Sequence, residues 1–181
     1  NFEIMKKRLF SLILGLVFTL NFAQEKTLND ILAGPWRGFS TEQVPNLGEV
    51  NTGVYMKLVF NEKIDGSKTE YSFYGTNQVE FIYTNNFGTK TYFATVNVSG
   101  VFNLKDKTLY VNDDSFASYD TLPDGMNWEL GKFKVTVYRD QDHTGFFLLK
   151  GVTLDNQGYA KSGSKVYYTT DMNYNPWKQK Y

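Results

Sequence analysis

The chain has 181 residues, no net charge and 41% hydrophobic residues, a length and composition that suit one globular domain. Basic and acidic side chains number 19 each, which excludes a nucleic-acid binder that works mainly by neutralising phosphates. The lack of cysteine excludes a disulfide scaffold, a thiolate metal site and a Cys nucleophile. Aromatic residues make up 17% of the chain, with 15 Phe and 13 Tyr, and this excess favours β-strands over helices.

Residues 1–23 have the pattern of a secretory signal. A basic start, Met5-Lys6-Lys7-Arg8, precedes an apolar run at 9–20, and Ala23 supplies a small residue at the cleavage point. The run is shorter than the roughly 20 residues that span a membrane. The segment resembles signal peptides of Bacteroidetes-type bacteria. We therefore expect an upstream extension plus signal peptide at 1–23 and a single all-β domain at 24–181. The mature protein should be exported to the periplasm or the outside, without a membrane span.

The first elements of the domain are a short helix and five strands. Leu28–Leu32 is the one helical candidate, and a strand is expected at 36–41. The alternation of Val54, Met56, Leu58 and Phe60 predicts the next strand, because every second side chain would face the core. A turn containing Asp65-Gly66 and a second turn at 85–88 then separate strands at 68–76, 79–84 and 89–102.

The second half of the chain continues the same pattern. Strands are expected at 108–111, 128–137, 146–154 and 165–170, and residues 112–127 form a predicted long loop over one end. Gly100 and Gly131 stand where the apolar parity changes, so a β-bulge is expected at each. About nine strands joined by short turns favour an antiparallel meander of 8–10 strands that closes as a barrel, with a β-sandwich as the alternative.

One short motif carries a family resemblance. Gly34-Pro35-Trp36 follows the short helical turn and opens the first strand. This Gly-x-Trp resembles the start of a lipocalin-like (calycin-type) β-barrel, of the kind found in secreted bacterial lipocalin-like domains. The resemblance implies that Trp36 is a structural plug at the narrow end of the barrel. It also implies that Arg139 covers Trp36, as an arginine does in that family.

Catalytic and metal-binding patterns are weak. His143 is the single histidine, and with Asp140 and Asp142 it could ligate a metal or simply belong to a polar turn. One imidazole and no thiolate do not make a transition-metal site, so we predict neither a metal nor a cofactor. Two further acidic arrangements and one calcium arrangement are open, and nothing in the sequence selects among them. They are Asp113-Asp114 with Glu129, Glu70 with Glu80, and Asp120 with Asp124-Gly125.

The aromatic excess indicates a binding wall. Tyrosine offers an apolar ring and a hydroxyl, which suits an amphipathic small molecule or a sugar, although ordinary β-propensity also explains aromatic strands. Strand parity yields a set of candidate ligand-binding side chains. They are Tyr71, Phe73, Phe81, Tyr83 and Trp128.

Three hypotheses follow for the function. The first is a secreted module that holds a small hydrophobic or amphipathic ligand in an aromatic-lined barrel. The second is a structural or interaction protein of the cell envelope that uses the outer sheet face. The third is a glycan hydrolase, which two inward acids at one barrel mouth, one of them with a raised pKa, would favour.

Overall fold

A computed structural model describes residues 27–44, 48–123, 125–141, 145–175 and 177, with the backbone alone at Glu62. The predicted signal segment at 1–23 lies outside these ranges. One helix and eight strands are described, here numbered in chain order. They are α1 (Leu28–Leu32), β1 (Trp36–Val44), β2 (Gly48–Lys63), β3 (Glu70–Asn85), β4 (Gly88–Asn103), β5 (Thr108–Tyr119), β6 (Lys132–Arg139), β7 (Phe147–Leu154) and β8 (Lys165–Thr169).

The eight described strands form a closed antiparallel barrel in which each strand pairs with its neighbours in the chain. The barrel is closed by β1 and β8, whose pairing runs from Arg37 opposite Thr169 to Thr41 opposite Lys165. The all-β meander barrel expected from the sequence is therefore confirmed, and the β-sandwich alternative is wrong. Closure leaves the backbone groups of both terminal strands paired, so neither of them is an exposed edge.

One end of the barrel, here called the closed end, is covered by α1. The helix begins with a capping box, because the Thr27 hydroxyl accepts a hydrogen bond from the Asp30 backbone and the Asp30 carboxylate accepts one from the Thr27 backbone. Asn29 then anchors the helix to β2: its side-chain amide donates to the Phe60 carbonyl at 2.9 Å and accepts from the Phe60 backbone N–H at 2.7 Å. α1 therefore sits directly on the barrel.

Trp36 and Gly34 explain the Gly-x-Trp motif physically. The Trp36 side chain is 1% exposed at the closed end, and its Nε1 donates to the Leu32 carbonyl at 2.8 Å. Gly34 has a φ of +92°, and a Cβ there would lie 2.8 Å from Cδ1 of Trp36. Only glycine satisfies both the left-handed backbone and the close approach of the indole.

The apolar core fills the half of the barrel next to α1. Its inward side chains come from all eight strands, so the core is continuous around the barrel. Members with at most 3% exposure include Met56, Leu58, Phe73, Val98, Phe102, Leu109, Val111, Val135 and Leu149.

Three details of the predicted strands are corrected. The strands expected at 68–76 and 79–84 are one continuous strand, β3, because its inner-face alternation continues through Gly75 and Asn77. The long loop expected at 112–127 is shorter, since β5 continues to Tyr119 although its outer part is polar. Trp128 precedes β6 and lies outside any strand.

The two predicted glycine bulges are also wrong. Gly100 pairs in register with Phe73 and Val111. It is a glycine because a Cβ there would clash with the Tyr110 carbonyl oxygen and would lie 2.5 Å from Cζ of Phe73. Gly131 comes just before β6. The register shifts among the described strands lie between Phe60 and Lys63, and between β4 and β5 beside Thr95–Val96 and Asn97–Val98.

Candidate functional site

Strand alternation identifies the side chains that face the interior. Trp36, Met56 and Tyr168 are core residues, and every second residue along their strands shares their face. Residues that pair across neighbouring strands face the same side of the sheet, so the register identifies the inward residues on every strand. The half away from α1, here called the open half, is the candidate site. Its described inward side chains include Glu42, Val50, Thr52, Phe81, Tyr83, Asp113, Phe116, Thr153 and Ser164.

The two halves of the interior differ in packing. Near α1 the inward side chains of Met56 and Leu149 are completely buried. In the open half, Thr52, Phe81 and Phe116 face inward on their strands and remain partly exposed. Solvent therefore reaches these inward side chains from the open end, and the part of the open half that they line is here called the recess.

Tyr168 and Asn77 mark the floor of this recess. The Tyr168 hydroxyl on β8 donates to Oδ1 of Asn77 on β3 at 3.2 Å, so the side chain crosses the interior. Both residues are buried, and the Phe133 ring lies 6.1 Å from the Tyr168 ring. Burial, together with the negative charge of Asp113, raises the pKa of Tyr168, so the hydroxyl stays protonated as a donor.

An aromatic wall lines the recess on β3, β4 and β5. The Phe81 ring lies 6.2 Å from the Tyr83 ring and 6.4 Å from the Tyr92 ring. Phe116 continues the wall on β5 through its pairing with Val96. These rings provide apolar area against which a flat or hydrophobic ligand could pack.

Asp113 faces the recess from β5. Its Oδ2 accepts from the Gly131 backbone N–H at 3.0 Å, and its own backbone N–H donates to the Gly131 carbonyl at 2.9 Å. Oδ1 is buried and has no hydrogen-bond partner among the described residues. Burial and, to a smaller extent, the charges of Asp114 and Glu42 raise the pKa of Asp113 to about 6, against the lowering effect of the Gly131 hydrogen bond.

Glu42 brings a second carboxylate to the inner face from β1. It lies close enough to Asp113 for its charge to raise the pKa of that carboxyl. Oε2 of Glu42 lies 3.5 Å from Nζ of Lys161, and both side chains are about 40% exposed. Glu42 is therefore a carboxylate at the rim of the barrel with a cation beside it, whereas Asp113 lies deeper in the barrel interior.

Thr153 and Ser164 complete the polar side of the recess. The Ser164 hydroxyl accepts from the Thr153 backbone N–H at 3.2 Å and donates to the Lys161 carbonyl at 2.8 Å. The Thr153 side chain is only 8% exposed and faces inward, since Thr153 pairs with the core residue Phe133. Its Oγ1 is buried without a hydrogen-bond partner among the described residues. Such a group costs stability unless something satisfies it.

The predicted ligand wall is divided by the structure. Four of its members, Tyr71, Phe73, Phe81 and Tyr83, share the inner face of β3. Phe81 and Tyr83 lie together in the open half, whereas Phe73 is part of the packed core and Tyr71 lies against it. Trp128 lies in the segment between β5 and β6, where its Nε1 donates to the Asp120 carbonyl at 2.8 Å.

Arg139 and the weaker sequence candidates occupy other places. Arg139 ends β6 at the closed end with an exposed side chain, so its role beside Trp36 stays a prediction. Glu70 and Glu80 lie on the outer face of β3, given the alternation with Phe73 and Val79. His143, Asp142 and Asp124 lie outside the described residues. No group of three or more potential metal-ligating side chains occurs among residues that are described.

The sequence did not reveal Glu42 and Thr153. Glu42 stands beyond the predicted end of the first strand, and Thr153 was an ordinary polar position in a predicted strand. Asp113 was one member of an unselected acidic pair. The structure separates that pair: Asp113 faces inward beside Val98, whereas Asp114 accepts a hydrogen bond from the outward Ser99 hydroxyl at 3.0 Å.

The outer face of the barrel carries its own aromatic residues. Tyr74, Tyr110 and Tyr138 face outward and are 43–54% exposed. A groove of about 230 Å³ also lies on this face, between β1, β2, β3 and β4. Its lining residues include Arg37, Tyr55, Gln78, Glu80 and Phe93. These features are the ones on which the envelope-interaction hypothesis depends.

The fold defines a class: a closed antiparallel meander barrel with eight described strands, compatible with a lipocalin-like barrel. No protein-family model matches the chain, and no curated protein or solved structure matches it. Among the described residues, no helix has the length and hydropathy to cross a bilayer.

Proposed function

We propose that this protein is a secreted lipocalin-like module that binds a small hydrophobic or amphipathic molecule in the open half of its barrel. One observation carries the proposal: Phe81, Tyr83 and Phe116 face inward and remain partly exposed, whereas the half next to α1 is filled by its core. Inward aromatic rings that solvent still reaches are the expected lining of a ligand site.

The binding mechanism is burial of apolar ligand surface against these rings. Burial contributes about 25 cal/mol per Å² of apolar surface removed from water. The polar side of the recess, with Asp113 and Thr153, would orient the ligand, because their buried oxygens lack partners in the described part of the protein. A ligand with one apolar and one hydrogen-bonding end fits both sides.

Calorimetric titration with naphthalen-2-ylmethanol tests the proposal, because this neutral probe has an aromatic body and one hydroxyl. We expect saturable binding, and Phe81→Ala should weaken it by about 10-fold, since loss of the ring removes roughly 1.5 kcal/mol of apolar contact. Tyr74→Ala is the matched control, because Tyr74 is on the same strand with its ring outside the barrel. Saturable binding that Phe81→Ala leaves intact, or no binding at all, would contradict the proposal.

Export is the second part of the proposal, and it rests on the pattern at residues 1–23. Expression of the full chain in a bacterium should give a periplasmic or secreted product whose N-terminus is Gln24. Mass spectrometry of the purified protein measures this directly. A full-length product that stays with the cytoplasmic fraction would refute the expectation.

Glycan hydrolysis is a second candidate, favoured by one observation. Asp113 and Glu42 are both on the inner face, and the pKa of Asp113 is raised to about 6, as a general acid requires. Release of 4-nitrophenol from aryl glycosides measures the activity. Loss of such a release in Asp113→Asn, with the fold intact by circular dichroism, would support hydrolysis over binding alone.

A further inference from the structure

The open half of the barrel has two chemically different sides. Aromatic rings occupy β3, β4 and β5, and inward oxygen-bearing side chains occupy β5, β7 and β1. On the second side are Asp113, Thr153 and Glu42. A ligand that fills this recess would meet apolar rings at one end and hydrogen-bond acceptors at the other.

Two oxygens on the polar side lack hydrogen-bond partners among the described residues. Oδ1 of Asp113 and Oγ1 of Thr153 are both buried without a hydrogen-bond partner among the described side chains and backbone. Thr153 is more than nine-tenths buried on the inner face. A buried threonine hydroxyl without a partner is unusual in a folded protein, and a hydrogen-bonding group of a bound molecule would satisfy it.

Charge on the polar side is negative, and within the described part of the chain no cation is among the charges that act on Asp113. The charges that act on Asp113 are those of Asp114 and Glu42, and both are repulsive. The cation of Lys161 lies at the rim beside Glu42, 3.5 Å from its carboxylate. A ligand that carries a positive charge would remove this imbalance, whereas a carboxylate ligand would increase it.

The spacing of these groups suits one small molecule. Thr153 on β7 and Asp113 on β5 are separated by one strand, β6, through the pairings of Phe133 with Thr153 and with Val111. Thr153 is level with Val111, so Asp113 lies two residues further along β5. With about 4.8 Å between strands and about 3.3 Å per residue, the two side chains start roughly 12 Å apart on the wall, and both face the interior. The head group of a small ligand can therefore approach both.

We propose that the ligand of this barrel is an amphipathic amine, whose ammonium group binds the Asp113 carboxylate while its apolar body packs against Phe81, Tyr83 and Phe116. This inference rests on the proposed function and specifies its ligand class. The ammonium donates to Oδ1 of Asp113, and a second donor of the head group reaches Oγ1 of Thr153. Oδ2 of Asp113 stays bonded to the Gly131 backbone, which holds the carboxylate in place.

Three probes of one shape test the ligand class on the unaltered protein: naphthalen-2-ylmethanamine, naphthalen-2-ylmethanol and 2-naphthoate. By calorimetry at pH 7.5, the amine should bind about 10-fold or more tightly than the alcohol, because a hydrogen bond to a charged group is stronger than a neutral one. The naphthoate should bind most weakly. If the alcohol binds as tightly as the amine, the proposed function stands and this inference is wrong. If none of the three binds, both are wrong.

Variants locate the charge that recognises the amine. Asp113→Asn keeps an oxygen for the Gly131 hydrogen bond and removes the charge, so it should abolish the preference for the amine: the amine should lose about 10-fold in affinity, and the neutral alcohol should lose much less. Asp114→Asn is the matched control. It makes the same charge change at the next residue, whose carboxylate is exposed and faces outward. A preference for the amine that survives Asp113→Asn would overturn the assignment to this residue.

The pH dependence gives a readout without mutation. Within the described residues, the titratable and charged groups that face Asp113 are Glu42 of β1 with its partner Lys161 and Tyr168 of β8, and the outward Asp114 acts on it from the neighbouring position of its own strand. Protonation of Asp113 removes the charge that holds the ammonium, so the amine affinity should fall about 10-fold between pH 7.5 and pH 5, whereas the affinity for the neutral alcohol should change much less. Parallel pH profiles for the two probes would refute the proposal.

Discussion

Asp113→Asn should change how the stability of this protein depends on pH. Burial raises the pKa of Asp113 from 3.8 to about 6, so the folded state binds this proton more tightly than the unfolded chain does. The protonated Asp113 therefore adds to the unfolding free energy. This added stability is fully present below about pH 3.8 and is lost as the pH rises through 6. The full loss is about 3 kcal/mol, since one pH unit corresponds to about 1.4 kcal/mol.

Most of this pH-dependent loss of stability falls between pH 4 and pH 7.5, where it can be measured. Over this interval the wild-type protein should lose about 2 kcal/mol of unfolding free energy relative to Asp113→Asn. This is less than the full loss of about 3 kcal/mol, because part of the loss has already occurred by pH 4. Urea unfolding followed by circular dichroism at both pH values measures the difference. The buried amide of the variant adds a cost that does not depend on pH, so it cancels in this comparison.

Asp106→Asn is the control for this measurement. Asp106 is an exposed carboxylate in the turn between β4 and β5, at the opposite end of the barrel from Asp113. Its removal should leave the pH dependence within about 0.5 kcal/mol of wild type. A constant stability difference between wild type and Asp113→Asn at both pH values would refute the electrostatic argument, as would a difference of opposite sign.

Two further predictions concern the closed end and the core. Trp36→Phe should lower the unfolding free energy by roughly 2–3 kcal/mol, because it removes buried volume and the indole N–H that donates to the Leu32 carbonyl. Urea denaturation at pH 6 measures this loss. A loss below about 0.5 kcal/mol would contradict the prediction. Gly100→Ala should cost about 2 kcal/mol or more, because the new Cβ would meet the Tyr110 backbone carbonyl and lie 2.5 Å from the Phe73 ring. Gly131→Ala should be near neutral, because the nearest contact of its Cβ is at 3.6 Å. Equal melting temperatures for the two variants would show that the close contacts at Gly100 do not require a glycine.

Much of the fold followed from local pattern. The alternation of Val54, Met56, Leu58 and Phe60 predicted β2, because a two-residue period with one apolar face is the signature of a half-buried strand. The turns at Gly66 and Gly88 were confirmed, and both glycines have positive φ values. Turn chemistry and strand alternation depend on neighbouring residues, so they are readable in the chain itself.

The glycines inside strands were interpreted wrongly because their reason is not local. Gly100 was expected to be a bulge, yet it lies in a regular ladder and is required by the Phe73 ring and the Tyr110 backbone of the two neighbouring strands. The true shift between β4 and β5 occurs further along, beside Thr95–Val96 and Asn97–Val98. A parity change in one strand does not reveal which strand carries the extra residue.

The candidate site shows the same division. The inner face of β3 was predictable, because Tyr71, Phe73, Phe81 and Tyr83 alternate along one strand. The sequence did not predict which of these rings line the recess and which fill the core. That depends on the depth of each ring in the barrel and on the side chains of other strands that cross the interior. Tyr168, which reaches Asn77 three strands away around the barrel, makes that division.

The sequence by itself determined that this protein is an antiparallel β meander with a Gly-x-Trp opening, because propensity, alternation and turn residues act over short stretches of chain. Tertiary structure alone decided that Glu42, Asp113 and Thr153 face one interior space, although they lie on β1, β5 and β7. The closure of β1 against β8 and the register of each strand pair set which side chains meet. A single one-residue shift of register reverses the face of every side chain beyond it.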